Sequence, residues 1–333
     1  MSFSNNQPSW REVILKYAQP CLRSSLWQFT NSLIPYFGLL FLMYLSLQVS
    51  YFLTLFLSVF AAAFMVRLFI IFHDCGHGSF FKSSKLNNSI GIFLGILTFT
   101  PYGKWHRAHK IHHTTVGNLD KRGTGDVWVL TVDEFKNISK WKRMFYRVYR
   151  NPFIMFLIGS PLIFLGLNRL TNRHLNRNER MNVYFTNLTL LLILVAMYFT
   201  IGLKAYLMIQ LPVIMVGSVM GVWLFYVQHQ FEGVHWYRQE DWDYKTVALQ
   251  GSSFYKLPKV LQWFSGNIGF HHIHHLSPKI PNYKLAKCHK ENEIFSEINA
   301  ITLWASLKYM KLRLWNEQSR QLIGFKELQS GMQ

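Results

Sequence analysis

The stretch "MVRLFIIFHDCGHGSF", residues 65–80, joins two unlike kinds of sequence. Apart from Arg67, residues 65–72 are apolar; His73, Asp74 and His77 then follow within five positions. A helix leaving a bilayer can end in such a polar cap, or it can open a metal site there. The choice depends on whether the chain brings more histidines to the same side of the membrane.

Composition favours the bilayer. Half of the 333 residues are hydrophobic and only 15% are charged, against about 25% in soluble domains. The net charge of +19 reads as basic loops facing the cytosol and anionic headgroups. The basic residues flank apolar runs and form no separate arm or recognition helix, so nucleic acid is not the expected partner. Cys21, Cys75 and Cys288 stand far apart, without a disulfide or zinc-ribbon pattern. The first residues are polar and then basic, unlike a signal peptide.

Four runs are long enough to span, given the need for roughly 20 apolar residues. They cover 32–49, 51–72, 183–200 and 205–228, and short uncharged or nearly uncharged turns join them into two hairpins. Two further runs, 89–102 and 152–167, are read as re-entrant or interfacial. If the second crossed, the cluster Arg169, Arg173, Arg177 and Arg180 would lie outside, against the positive-inside rule. The expected fold is therefore an all-α integral membrane protein with four transmembrane helices and a cytosolic helical cap. Its parts are a cytosolic N-terminal segment (1–31), a hairpin (32–72), a cytosolic region (73–182), a second hairpin (183–228) and a cytosolic tail (229–333). Both termini fall in the cytosol. Within the tail, "ITLWASLKYMKLRLW" (301–315) predicts an amphipathic surface helix with Trp304, Leu307, Met310 and Leu314 on one face and Lys308, Lys311 and Arg313 among the rest.

All fourteen histidines lie in the two regions assigned to one side. His73 and His77 share a helical face at i, i+4. "HRAHKIHH" (106–113) and "NIGFHHIHH" (267–275) carry His109, His112, His113 and His271, His274, His275 at i, i+3, i+4, and each triad is expected to aim at one point. Eight imidazoles exceed the needs of one ion and suit two. Neutral imidazole serves zinc, copper, iron or nickel, and the first pair lacks the H-E-x-x-H of a peptidase. Two ions with open positions fit redox chemistry better than hydrolysis. A metal transporter is the rival from another class, but its sites lie near the midplane, where these spans hold no histidine.

The order H-x-x-x-H, H-x-x-H-H, H-x-x-H-H around four spans resembles the membrane fatty acid desaturase superfamily. "IFHDCGHGSFFK", "IHHTTVGNLDKRGTGDVW", "GVWLFYVQHQFE", "LQGSSFYKLPK" and "GNIGFHHIHHLSPKIPNYKL" resemble bacterial acyl-lipid desaturases, those of bacilli in particular, from about residue 20 to 320. The resemblance implies a di-iron centre on His73, His77, His109, His112, His113, His271, His274 and His275, with His229 of "QHQFE" as a ninth ligand. It implies dioxygen as co-substrate, membrane phospholipid acyl chains as substrate, a cis double bond as product and a bacterial plasma membrane as location. A hydroxylase or ketolase on the same ligands is the alternative reading.

Asp74, Asp126, Glu232, Asp241 and Asn267 are candidates for holding the ligands from behind. His106 and His272 point off the triad faces and are expected to be structural, and His174, His235 and His289 to face solvent or the interface. The chain shows neither G-x-G-x-x-G after a strand nor H-P-G-G, so a separate electron donor is expected. A basic face would steer an acidic one, ferredoxin or flavodoxin.

Overall fold

The computed structural model describes residues 10–296 and 298–330. The first nine residues of the expected N-terminal segment lie outside these. A short helix, α1 (Trp10–Leu15), precedes the first long one, α2 (Leu22–Ser46). The next, α3 (Tyr51–His77), has 27 residues, about 40 Å at 1.5 Å per residue. A hydrocarbon core is about 30 Å thick, so the turns carrying His73 and His77 reach beyond it. Gly78 ends α3 in the left-handed region at φ 63°, and Ser79 N donates to the Asp74 carbonyl, a glycine stop.

Two helices follow, α4 (Ser84–Leu97) and α5 (Tyr102–Thr115). Strand β1 (Leu130–Thr131), α6 (Val132–Asn137) and α7 (Lys140–Tyr149) come next. A π-helical turn over Phe153–Gly159 runs into α8 (Ser160–Leu165). The segment Phe153–Arg169 bends 67° from α7, a broken unit and not a straight span. Then α9 (Arg177–Thr200) and α10 (Leu203–His229) form the second hairpin. Among the described residues four helices, α2, α3, α9 and α10, are each long and apolar enough to cross a membrane. α3, α9 and α10 contain the expected runs 51–72, 183–200 and 205–228, whereas α2 starts before the run 32–49 and ends short of it, at Ser46.

Past His229 the chain builds α11 (Tyr244–Gln250), β2 (Phe254–Lys256), α12 (Lys259–Phe264), α13 (His271–Leu276) and α14 (Asn282–Lys290). It closes with β3 (Ala300–Thr302), α15 (Leu303–Lys308), β4 (Leu314–Asn316), β5 (Gln321–Ile323) and α16 (Phe325–Ser330). β2 pairs in parallel with β3, and β4 lies between β1 (parallel) and β5 (antiparallel).

These pairings correct the amphipathic helix expected over 301–315. Only six residues, α15, are α-helical, Tyr309–Lys311 make a 3-10 turn, and β4 begins at Leu314. Trp304 and Leu307 are exposed while Leu314 and Trp315 are buried, so the supposed single face is divided. The cause is remote: the Arg313 carbonyl accepts from the Tyr146 hydroxyl, and the buried Arg150 guanidinium donates to the Leu312 carbonyl and to Gln230 Oε1.

The core of the membrane part forms around α3, where Ala61, Ala62, Leu68, Ile71 and Phe72 are buried. Small residues allow the close approach of α10, since a Cβ at Gly217 would meet the Met65 side chain and Ala62. α9, by contrast, leaves Leu188, Leu191, Leu192 and Val195 exposed, as a lipid-facing helix does.

Candidate metal centre

Nine histidines converge in two groups, His73, His77, His109, His113 and His274 in one and His112, His229, His271 and His275 in the other. In the first, Nε2 of His109 is 3.0 Å from that of His77 and 3.1 Å from that of His113, which is 3.0 Å from His274 Nε2. In the second, His229 Nε2 lies 3.1 Å from His112 Nε2 and 3.0 Å from His271 Nε2, and His271 lies 3.0 Å from His275.

The triads do not each aim at one point. α5 places His109 and His113 in the first group and His112 in the second; α13 places His271 and His275 in the second and His274 in the first. Successive residues turn about 100° on a helix. Positions i and i+4 therefore lie about 40° apart, whereas i+3 and i+4 diverge by about 100°. A triad is wide enough to straddle two sites.

Five of the rings outside the spans favour the neutral form. Burial, followed by repulsion from neighbouring imidazoles, pushes His109, His113, His271, His274 and His275 well below the usual histidine range. Neutral rings have a free lone pair on one nitrogen. Several Nε2 atoms facing one another cannot all be satisfied by sharing protons. Nitrogens about 2.1 Å from a common ion stand about 3.0 Å apart at right angles, the spacing found here. The donor set fits two ions of the nitrogen-preferring transition metals.

Groups behind the rings set their orientation. His112 Nδ1 lies 2.6 Å from Asp126 Oδ1, and His229 Nδ1 donates to the Gly251 carbonyl at 3.2 Å. His73 Nδ1 is 3.2 Å from Asp74 Oδ1, whose partner oxygen Oδ2 accepts from Asn282 N at 2.7 Å and Asn282 Nδ2 at 2.8 Å. Asn282 and Gly251 were not singled out in the sequence; a backbone carbonyl leaves no side-chain signal, and Asn282 is 208 positions from Asp74. Glu232 and Asp241 are exposed and touch none of the nine rings. Asn267 is likewise removed, donating to the Asn282 carbonyl at 3.3 Å.

The remaining histidines stand apart from both groups. His106 is exposed and stacks on Tyr102, and His174 is exposed. His272 is fully buried against Phe254, Phe295 and His289, and burial pushes its imidazole down to about 3. His289 is half-buried among Phe254, Phe270 and Phe295, not solvent-facing. His235 is half-buried and stacks on Tyr237.

An apolar cavity of about 240 Å³ reaches His73 and His109 of one group and His271 of the other. Phe69, Ile163, Phe164 and Phe225 contribute its apolar walls, and Trp105, which stacks on His109 at 4.4 Å, forms another.

The fold and site define a helical integral membrane protein with two adjoining all-histidine groups that could hold metal, open to an apolar slot. Residues 49–304 match the family model described as fatty acid desaturase. The chain is 48% identical to a fatty acid desaturase of Bacillus subtilis (strain 168), over 98% of this chain and 93% of that one. It is also similar to two Synechocystis proteins. One is an sn-1 acyl-lipid omega-3 desaturase (ferredoxin), 28% identical over 66% of this chain and 62% of its own. The other is an sn-1 oleoyl-lipid 12-desaturase, 24% identical over 78% and 72%. The chain belongs to the fatty acid desaturase family.

Proposed function

We propose that the protein is an oxygen-dependent acyl-lipid desaturase that introduces a cis double bond into membrane phospholipid acyl chains. The observation that carries this reading is the cavity wall shared by both histidine groups. A saturated chain in that slot places its methylenes beside both groups at once. His73, His77, His109, His113 and His274 would hold one iron, and His112, His229, His271 and His275 the other. With dioxygen and two electrons, a bound iron pair supplies the removal of hydrogen from unactivated methylenes, which no side chain can perform.

The protein's own part is placement. Phe69, Phe164 and Phe225 exclude water and confine the chain, which fixes the carbons that lie beside the metals. Asp126, Asp74 and the Gly251 carbonyl keep His112, His73 and His229 turned inward.

Electrons would come from a separate carrier, ferredoxin or flavodoxin; the name of one Synechocystis relative carries ferredoxin. The excess of basic residues suits docking of an acidic protein. The arginine cluster at 169–180 supports a plasma-membrane orientation with the metal centre and both termini in the cytosol.

The test is the fatty-acid profile of a host membrane that lacks desaturases, with the gene, without it, and with His112→Ala. A monounsaturated acid that vanishes in the variant is expected, and derivatised mass spectrometry locates its double bond. Hydroxy or keto acids in its place would overturn the desaturase reading.

A further inference from the structure

Arg67 takes no part in the metal centre, although it is the charge that interrupts the apolar run of α3. It is only 5% exposed. Its Nε donates to Ser32 Oγ at 3.0 Å, its NH1 donates to the Trp263 carbonyl, and its guanidinium lies 3.8 Å from the centre of the Trp263 ring. All of these partners are neutral, and no carboxylate lies within ion-pair distance of it among the described residues. An unpaired charge inside a span is costly and marks a functional position.

A cavity of about 470 Å³ lies beside Arg67, between α2, α3 and α12. Lys259 supplies a second cation to its wall, Gln28, Asn31 and Gln262 supply amides, and no described acidic residue lines it. Gln262 Nε2 is a buried donor without a partner, and Gln28 Oε1 a buried acceptor without one. Two cations and a spare amide donor suit a phosphate diester. The spare acceptor suits a hydroxyl or ammonium attached to it. From the cavity rim, the exposed side chains Trp27, Ile34 and Phe41 follow one another at seven-residue steps along α2. That spacing makes a nearly straight apolar track about 20 Å long.

We propose that this cavity binds the phosphate of a phospholipid headgroup, with the lipid's chains laid along the α2 track. This lipid is not the substrate. Arg67 faces the polar cavity, whereas Val66 and Ile70 of the same helix face the apolar slot. The proposal rests on membrane embedding and not on the desaturase reading. The lipid would sit next to the metal centre's supports, because Asn282, which holds Asp74, also lines the cavity and accepts from Gln28.

The experiment uses the full chain, delipidated in a neutral detergent. Thermal unfolding and native mass spectrometry are followed with added short-chain phosphatidylglycerol, the matching diacylglycerol, or inorganic phosphate. Phosphatidylglycerol alone is expected to raise the melting temperature and to give a retained one-lipid adduct. Arg67→Gln should abolish both effects. Lys259→Gln, at an exposed position where folding is not at risk, should weaken binding several-fold. Equal stabilisation by diacylglycerol would show that the chains alone bind, and equal stabilisation by phosphate would show a free-anion site. Either result overturns the proposal, as does an unchanged adduct in Lys259→Gln together with Arg67→Gln, or in Lys259→Gln alone if Arg67→Gln does not fold.

Discussion

His112 Nε2 lies 3.1 Å from His229 Nε2, although 117 positions separate the two residues. Their contact ties the end of the last span to α5 and leaves His113, the next residue, in the other group. Truncating His229 thus removes one nitrogen from the second group and none from the first. His229→Ala is expected to lose roughly half of the bound iron and all desaturation, read by elemental analysis and by lipid profile. Full iron occupancy would remove His229 from the ligand set.

Asp126→Asn keeps the shape but loses the charge that holds His112 Nδ1 at 2.6 Å. Such partners are worth about 10–100-fold in metal affinity, and a competing chelator should strip the variant correspondingly sooner. Glu232→Gln, at an exposed position away from the rings, should behave as the parent protein does. The pair of variants separates a carboxylate that orients a ligand from one that is merely solvated.

Asn282→Leu keeps the branched outline of the side chain and removes a side-chain donor from the Asp74 carboxylate, which is 1% exposed. A hydrogen bond to a buried charge contributes about 1.5–3 kcal/mol, so a stability loss of about 2–3 kcal/mol is expected on unfolding in detergent. Unchanged stability would mean that the backbone donor at 282 suffices.

Gly221 lines the apolar cavity, and a Cβ built there meets nothing within 4 Å. Gly221→Leu therefore extends into the slot without straining α10. A single methylene more or less in an apolar pocket discriminates by about 10–200-fold, so long chains should be desaturated less well and shorter ones relatively better. Gas chromatography of host lipids reads the shift; an unchanged chain-length profile would place the acyl chain elsewhere.

The four spans and the three histidine boxes were legible because each is a local pattern. Apolar length marks a span, and i, i+3, i+4 spacing marks a helical face. The division of each triad between two groups was not legible. It depends on where α5 and α13 lie relative to one another, which spacing within a single helix does not contain. Asn282 escaped notice for a similar reason, since its partner Asp74 is remote in sequence. The tail misled because Leu314 fits a helical stripe as well as a strand, and only pairing with β1 and β5 decides between them. Asp74 and Asp126 lie against box histidines, whereas Glu232, close to His229 in sequence, is exposed to solvent.

Because α5 and α13 each serve both groups, the gauge between the two centres is set within a single turn of each helix. A bilayer that thickens or thins with lipid composition can tilt the four long helices. Such tilting moves the hairpins against one another but cannot stretch a turn closed by its own backbone hydrogen bonds. The spacing between the two histidine groups is thereby insulated from the physical state of the surrounding membrane.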